Sequence, residues 1–385
     1  MEPVPYSCQT IEEADIAAVE RVLRSAFLTQ GPEIPRFEAA IAELHGQPHA
    51  VAACNATAAL HMACAALGLG PGDRLWTSPI SFVASANCGL YCGASVDFVD
   101  IDPATRNISV AALAAKLEAA EGDGTLPKIV VPVDFAGLPA DMAEIRALAD
   151  RYGFAVVEDA SHAVGAQYQG RAVGALADIT VFSFHPVKIV TTGEGGMAVT
   201  ARADLAERMA LLRSHGITRE PHLMSAEPEG GWAYEQVTLG WNYRITDLQA
   251  ALGSSQLSRL PAMWQAREDR ARRYDALLAS LPLILPARLA DRQSAHHLYV
   301  VEIDETRSAV TRRALFDALR AAQIGANVHY IPIHLQPHYR AMGFAPGDFP
   351  HAEAYYRRAV TIPLYPHLTD TQQDRVVAVL KDILG

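Results

Sequence analysis

The chain has 385 residues, half of them hydrophobic, with 43 acidic against 32 basic side chains and a formal net charge of −11. That is enough apolar material for two domains with a sizeable core, and the acidic balance excludes a basic field for nucleic acid or an anionic membrane surface. The five cysteines, Cys8, Cys54, Cys64, Cys88 and Cys92, are odd in number and form no Cys-x-x-Cys pair, which points to reduced thiols in a cytoplasmic protein rather than to a disulfide framework or a metal site.

Residues 1–6 carry neither the basic nor the apolar stretch of an export signal, and no later apolar run is long enough to span a bilayer. Ile16, Val19, Val22 and Leu23 recur at helical spacing behind Glu12, Glu13 and Asp15, which predicts a surface helix over 11–27 with its acids favoured by the helix dipole. The turn at 28–32 leaves backbone groups free to meet a ligand or merely to connect, and a helix over 34–44 follows. Strands over 49–54, 74–77, 95–99, 128–132 and 155–158 then alternate with helices over 56–67, 81–91, 110–120 and 141–152. That rhythm predicts an α/β fold, a mostly parallel sheet covered on both faces. A further strand, 179–182, runs into the stretch 183–197, where Lys188 stands between a proline and a glycine-rich turn. A helix over 203–214 and a polar segment over 218–232, expected to be mobile, lead to a helical pattern over 246–281 in which Pro261 kinks or restarts the helix. Strands over 297–303 and 326–331, with helices over 309–322, 351–358 and 369–384, predict a small α+β domain. The division is placed so that residues 1–255 form the large domain and 256–385 the small one.

Alone, Lys188 reads as a solvated loop lysine. Upstream, however, an apolar strand ends in Glu158-Asp159-Ala160-Ser161-His162, which puts an acid at the C-terminal edge of the sheet, where α/β proteins bind ligands. An amine able to form a Schiff base and a carboxylate able to hold a pyridinium proton are the two groups that pyridoxal phosphate requires of a protein. Asn55-Ala56-Thr57 joins a strand to a helix through small residues, either as a plain N-cap or as a phosphate cradle. Phe82, just past a strand end, reads as a core residue by default, and His162 reads equally as a structural histidine or as a ligand of cofactor or substrate. Arg244 either pairs with Asp247 three residues on or is free for an anionic substrate. His329, His334 and His338 lie on a proline-broken loop without cysteine or acid, so no metal is expected there.

The order and spacing of Glu158-Asp159-Ala160-Ser161-His162, Ser183-Phe184-His185-Pro186-Val187-Lys188 and Thr191-Thr192-Gly193-Glu194-Gly195-Gly196 resemble the nucleotide-sugar aminotransferases of the DegT/DnrJ type. The likeness covers nearly the whole chain, with matches from Tyr6 to Pro332. It implies a fold type I pyridoxal-phosphate-dependent transferase, similar to aspartate aminotransferase, with a mostly parallel central sheet in the large domain and a small C-terminal α+β domain. In that resemblance Lys188 holds pyridoxal 5'-phosphate and later moves the substrate proton, and Asp159 accepts the pyridinium N–H. Phe82 lies against the ring, Ala56, Thr57 and Ser183 take the phosphate, and His162 hydrogen-bonds the cofactor or the substrate.

Leu239-Gly240-Trp241-Asn242-Tyr243-Arg244 resembles the family's Gly-aromatic-Asn-aromatic-Arg signature, whose asparagine, here Asn242, reaches the cofactor phosphate of the neighbouring subunit. A homodimer with shared active sites is therefore implied. The same resemblance assigns the nucleotide-sugar to Tyr6, Ala26, Phe27, Leu28, Thr29, His329, Tyr330, Ile331 and Pro332, together with Ala56, Ser183 and Asn242. Lysine at position 188, where some dehydratase relatives have histidine, implies transamination, and a regulatory binder would not need such a proton-transferring lysine. Ser183 to Ile189, Asn242 to Asp247, and His297-Leu298-Tyr299 look most like the branch that moves the amino group of L-glutamate to C4 of a UDP-4-keto-6-deoxy-N-acetylhexosamine for pseudaminic acid. The chain departs from the family at Asn55-Ala56, where glycine or serine is common, and at His162, where many members have glutamine.

Overall fold

The alternation of strands and helices is realised, in a computed structural model describing residues 2–385, as one seven-stranded sheet. Its strands are β1 (His49–Ala53), β2 (Arg74–Thr77), β3 (Ser95–Phe98), β4 (Ile129–Val131), β5 (Ala155–Asp159), β6 (Ile179–Ser183) and β7 (Gly196–Thr200). The spatial order is β1-β7-β6-β5-β4-β2-β3, and β7 alone runs antiparallel to its neighbours while the pairs from β6 to β3 are parallel. The sequence reading did not anticipate β7, because its five residues begin inside the glycine-rich turn. All five are nonetheless buried, wedged between two strands that they join.

Helices α1 (Glu13–Leu23), α2 (Glu33–Leu44), α3 (Ala56–Ala66), α4 (Ala84–Tyr91), α5 (Val110–Asp123), α6 (Met142–Tyr152) and α7 (Ala203–Arg213) surround the sheet. The third is apolar almost all round, with Ala58, Ala59, Leu60, Met62, Ala63, Cys64 and Ala66 buried, as a helix enclosed by sheet and neighbouring helices must be. Its alanines let the backbone lie close to the strands. Asp15 of α1 is not a dipole-stabilising surface acid: it is fully buried and accepts from Ser255 Oγ at 2.6 Å, Gln256 Nε2 at 2.8 Å and Arg259 Nη2 at 2.7 Å.

The helical pattern after residue 246 divides into α8 (Asp247–Leu257) and α9 (Leu260–Leu278). Pro261 sits in the first turn of α9, where its missing N–H has no helical partner to lose. Asp247 is buried, and its carboxylate accepts from the backbone N–H groups of Gly31 at 2.8 Å and Glu33 at 2.9 Å, while its own N–H donates to Leu28 O at 3.0 Å. Backbone groups of the 28–32 turn that were expected to be free are thus engaged by Asp247, and the Asp247 carboxylate serves them rather than Arg244. The expected domain boundary at 255 falls inside α8.

The C-terminal unit is built on the antiparallel strands β8 (Leu283–Ile284), β9 (Tyr299–Ile303) and β10 (Ala359–Ile362), packed by α10 (Arg312–Ala321), α11 (Pro350–Arg358) and α12 (Asp370–Leu384). Val4 is buried in this unit's apolar cluster with Tyr274, Leu319 and Val376, bridges to Ile324, and so brings the chain's first residues here. The strand expected over 326–331 does not form. Asn327 alone bridges Thr361, and Pro332 has no N–H to continue a ladder. The polar segment from 218 contains one turn of 3-10 helix and ends in a short hairpin, Ile217–Thr218 against Glu235–Gln236.

Candidate active site

The C-terminal ends of β1, β2, β5 and β6 and the start of β7 meet at one edge of the sheet, facing the C-terminal unit. Gly196 pairs with Ala53 on one side and with Ser183 on the other, so the start of α3 and the Ser183 hydroxyl lie side by side. A Cβ on Gly196 would stand 2.5 Å from the Asn55 carbonyl and 2.6 Å from Ala56 N. The close approach of backbone to backbone therefore demands glycine. Asn55 is a true N-cap, accepting from Ala58 N at 2.8 Å, which leaves the first amides of α3 and the Thr57 hydroxyl at the positive end of the helix.

Beyond Ser183 the chain loops back to β7. Phe184 N donates to Gly195 O and Thr192 N to Phe184 O, each at 2.9 Å, while Phe184, Ile189 and Val190 are buried in the core below. With both flanks anchored, Lys188 is left in the wall of a cavity of about 490 Å³, a size suited to a small organic ligand. Asp159, Thr57, Phe82, His162 and Tyr330 share that wall. Burial, opposed by the charge of Asp159, pushes the Lys188 ammonium down to about 7.

Asp159 accepts from Ser85 Oγ at 2.6 Å and from Ser161 N at 3.1 Å. His162 Nδ1 accepts from Ala136 N at 3.2 Å, which puts the proton of the neutral ring on Nε2, 3.3 Å from Tyr330 Oη. His162, His297 and His329 are all buried, and each is held below the usual histidine range, first by burial and then by the charge of Lys188. The cavity is thus walled by the neutral imidazoles of His162, His297 and His329, the amine of Lys188 and the carboxylates of Asp159 and Glu194.

Of the residues singled out in the sequence, Tyr6, Ala56, Thr57, Phe82, Asp159, His162, Ser183, Lys188, His329 and Tyr330 line this cavity. Phe82 is 58% exposed, so the core reading fails and its face is free. Ala26, Phe27, Leu28 and Thr29 are exposed elsewhere, Asn242 is exposed beside a bridge to Ser214, Ile331 is exposed, and Pro332 is buried. One chain therefore does not bring these seven to the cavity. His334 Nε2 bonds Glu353 Oε1 at 3.0 Å, and among the described residues no group of three or more His, Cys, Asp or Glu is set to hold a metal. Ser81, Ser85 and His297 went unremarked as site residues. Their signals were a serine pair at helical spacing and a histidine at the start of a strand, neither distinctive alone.

The residues fit pyridoxal phosphate on several independent grounds. The glycine-tight cradle at α3 offers amides and two hydroxyls to a phosphate, Asp159 offers a carboxylate to a pyridinium, and Lys188 offers an amine. A mostly parallel sheet carrying that pair at its C-terminal edge, closed over by a smaller α+β unit, is the architecture of the fold type I pyridoxal-phosphate-dependent transferases. The match to the DegT/DnrJ/EryC1/StrS aminotransferase family spans residues 9–381, and the chain belongs to that family of pyridoxal-phosphate-dependent sugar aminotransferases.

Among its relatives, the spore coat polysaccharide biosynthesis protein SpsC of Bacillus subtilis is 41% identical over 384 residues, covering 99% of this chain and 97% of that one. The structure of Helicobacter pylori PseC, an aminotransferase of pseudaminic acid biosynthesis, matches with a TM-score of 0.91 at 31% identity over 100% of this chain and 99% of that one. Spr1654 of Streptococcus pneumoniae matches in its PLP form with a TM-score of 0.89 at 30% identity over the whole of both chains. The family implies a nucleotide-linked keto-sugar as acceptor and an amino compound as donor. Among the described residues no helix is long and apolar enough to cross a membrane.

Proposed function

We propose that this chain moves the amino group of L-glutamate to the C4 keto group of a UDP-4-keto-6-deoxy-N-acetylhexosamine, as a cytoplasmic homodimer in a pathway of the pseudaminic acid type. The observation that carries the proposal is the cavity itself. Lys188 and Asp159 face it from the large sheet, while Tyr6, His329 and Tyr330 face it from the C-terminal unit, in a chain that resembles PseC from end to end. Of the assigned residues outside that cavity, the exposed Asn242 and Ala26 to Thr29 are then supplied by a second copy.

Pyridoxal phosphate, when bound, supplies the carbonyl that accepts an amino group and a ring that withdraws electrons from the substrate carbon. The remaining chemistry belongs to the chain. Ala56, Thr57 and Ser183 bind the phosphate through amides and hydroxyls, Phe82 covers a ring face, and Asp159 holds the ring nitrogen. Lys188 Nζ carries a proton to and from the reacting carbon, a task for which an amine near neutrality is well matched, since it gives and takes protons at similar cost. Tyr6, His329 and Tyr330 orient the sugar, and their neutral rings add no charge that would hold the acceptor too tightly.

The test is spectroscopic. Purified protein loaded with pyridoxal phosphate is expected to show a visible band that L-glutamate bleaches and one UDP-4-keto-sugar restores, with no such band in Lys188→Ala. Bleaching by glutamate without recovery by any UDP-keto-sugar would overturn the acceptor while leaving the cofactor. The higher identity to SpsC favours one second reading, a different nucleotide-linked keto-hexose destined for a surface polysaccharide, and the same titration with other keto-sugars separates the two.

A further inference from the structure

The Asp159 carboxylate is held from behind by a helix that the sequence reading treated as packing. Ser85 lies in the first turn of α4, wholly buried, with Ser81 one turn before it and also buried. Ser85 Oγ donates to Asp159 Oδ2 at 2.6 Å. Ser81 Oγ lies 2.6 Å from Ser85 Oγ. Because the single proton of Ser85 is committed to Asp159, Ser81 is the donor in that second bond. The proton order is therefore Ser81 to Ser85 to Asp159, one direction only. Asp159 Oδ1 is taken by Ser161 N at 3.1 Å, so each carboxylate oxygen has one fixed donor within the chain. An unbonded hydroxyl would be costly in so dry a place.

We infer that Ser85, supported by Ser81, is a positioning residue that sets the rotation of the Asp159 carboxylate toward the ring nitrogen of pyridoxal phosphate and keeps the proton on that nitrogen. This rests on the reading of Asp159 as the ring's partner. The same turn also carries Phe82, whose carbonyl accepts from Ser85 N at 3.2 Å. One turn of chain thus sets both the aromatic cover and the carboxylate. Held by Ser85 on one oxygen and Ser161 N on the other, the carboxylate presents fixed lone pairs. Without the Ser85 bond it keeps only the longer Ser161 contact and can turn about it, and the ring nitrogen loses its directed acceptor.

The experiment loads wild type, Ser85→Ala, Ser85→Thr and Asp159→Asn with pyridoxal phosphate carrying ¹⁵N in the ring and follows the nitrogen resonance against pH. In wild type the protonated-nitrogen shift is expected to persist through the alkaline range. Ser85→Ala is expected to lose it about one pH unit lower, with the cofactor's dissociation constant weakened about tenfold, and Ser85→Thr is expected to restore both. A Ser85→Ala resonance that tracks wild type at every pH, with unchanged cofactor affinity, would overturn the inference. Should Asp159→Asn also track wild type, the assignment of Asp159 itself fails, which is a separate result. If Ser85→Ala does not fold, Ser85→Cys keeps the shape with a far weaker donor and is judged by the same two readouts.

Discussion

The amine of Lys188 is the most exacting place to test this structure. Packing around it pushes the ammonium down to about 7, from about 10.4 for an unperturbed lysine. At pH 7 about half of the chains then carry a free amine at this position, against roughly 0.04% for an ordinary lysine, an advantage of about three orders of magnitude. Cofactor-free protein treated with an amine-acylating reagent across pH 5 to 11, with each site read by peptide mass analysis, reports that fraction directly. Modification of Lys188 is expected to level off near pH 8, while a lysine-containing reference peptide in the same reaction keeps rising toward pH 10. The comparison is of midpoints, not of rates, since access to Lys188 is narrower. Asp159→Asn removes the one charge that favours the ammonium, and the Lys188 midpoint is expected to fall further. Folding responds with a definite sign. With its folded value depressed, Lys188 costs nothing above about 10.5, costs progressively more as pH falls toward 7, and costs a constant amount below that. The full difference is about 5 kcal/mol, and because Lys188 keeps an opening to the cavity's water we expect about half of it. Lys188→Met should therefore be more stable than wild type at pH 6 by about 2 to 3 kcal/mol and closer to it at pH 10, by urea denaturation. A Lys188 midpoint coinciding with that of the reference peptide would refute the reasoning at its root.

Glu158 carries the opposite sign. It is 1% exposed, and burial, against the hydrogen bonds from Thr180 and Gly174, pushes it up to about 7. Its stabilising contribution is present below about 4.5 and is lost as pH rises through 7. Glu158→Gln should match wild type at pH 4 and exceed it by about 3 kcal/mol at pH 8. Parallel pH profiles of denaturation midpoint for the two proteins would contradict this. Asp15→Ala leaves the donors of Ser255, Gln256 and Arg259 without their acceptor and should cost about 3 kcal/mol in urea unfolding, with Asp15→Asn intermediate. Phe82→Ala removes a ring that is 58% exposed, so the melting temperature of the cofactor-free protein should hardly move. The dissociation constant for pyridoxal phosphate, followed by fluorescence, should instead rise about three- to tenfold.

Much of the architecture could be read from local chemistry. The strand at 74–77 was placed to the residue, because a short run ending in the β-prone Trp76 and Thr77 between a Gly-Asp turn and Ser-Pro admits little else. Lys188 and Asp159 were legible for a related reason: each is a polar residue that no core needs, Asp159 at the last position of a buried strand and Lys188 in the loop that follows the next one. What escaped was set by partners distant in sequence. Gly196 to Thr200 looked like the tail of a turn until β1 and β6 closed on it. Asp15 looked like a dipole charge until Ser255, Gln256 and Arg259 arrived from some 240 positions away. Ser85 gave no sign that its partner would be a carboxylate 74 residues on. The residues 326–331 were read as a strand, yet only Asn327 found a ladder partner, in Thr361, before Pro332 ended any continuation.

The Asp247 clamp carries a lesson for anyone who would re-engineer acceptor choice. The loop from Leu28 to Glu33 and the segment that presents Asn242 and Arg244 are fastened by the Asp247 carboxylate, its own N–H and the Thr29–Thr246 bridge. Neither can shift without dragging the other. They form a latch plate rather than two independent fingers, so point exchanges in one loop would strain against the other. A graft aimed at a new sugar should move residues 26–33 and 242–247 as one cassette, with the aspartate inside it.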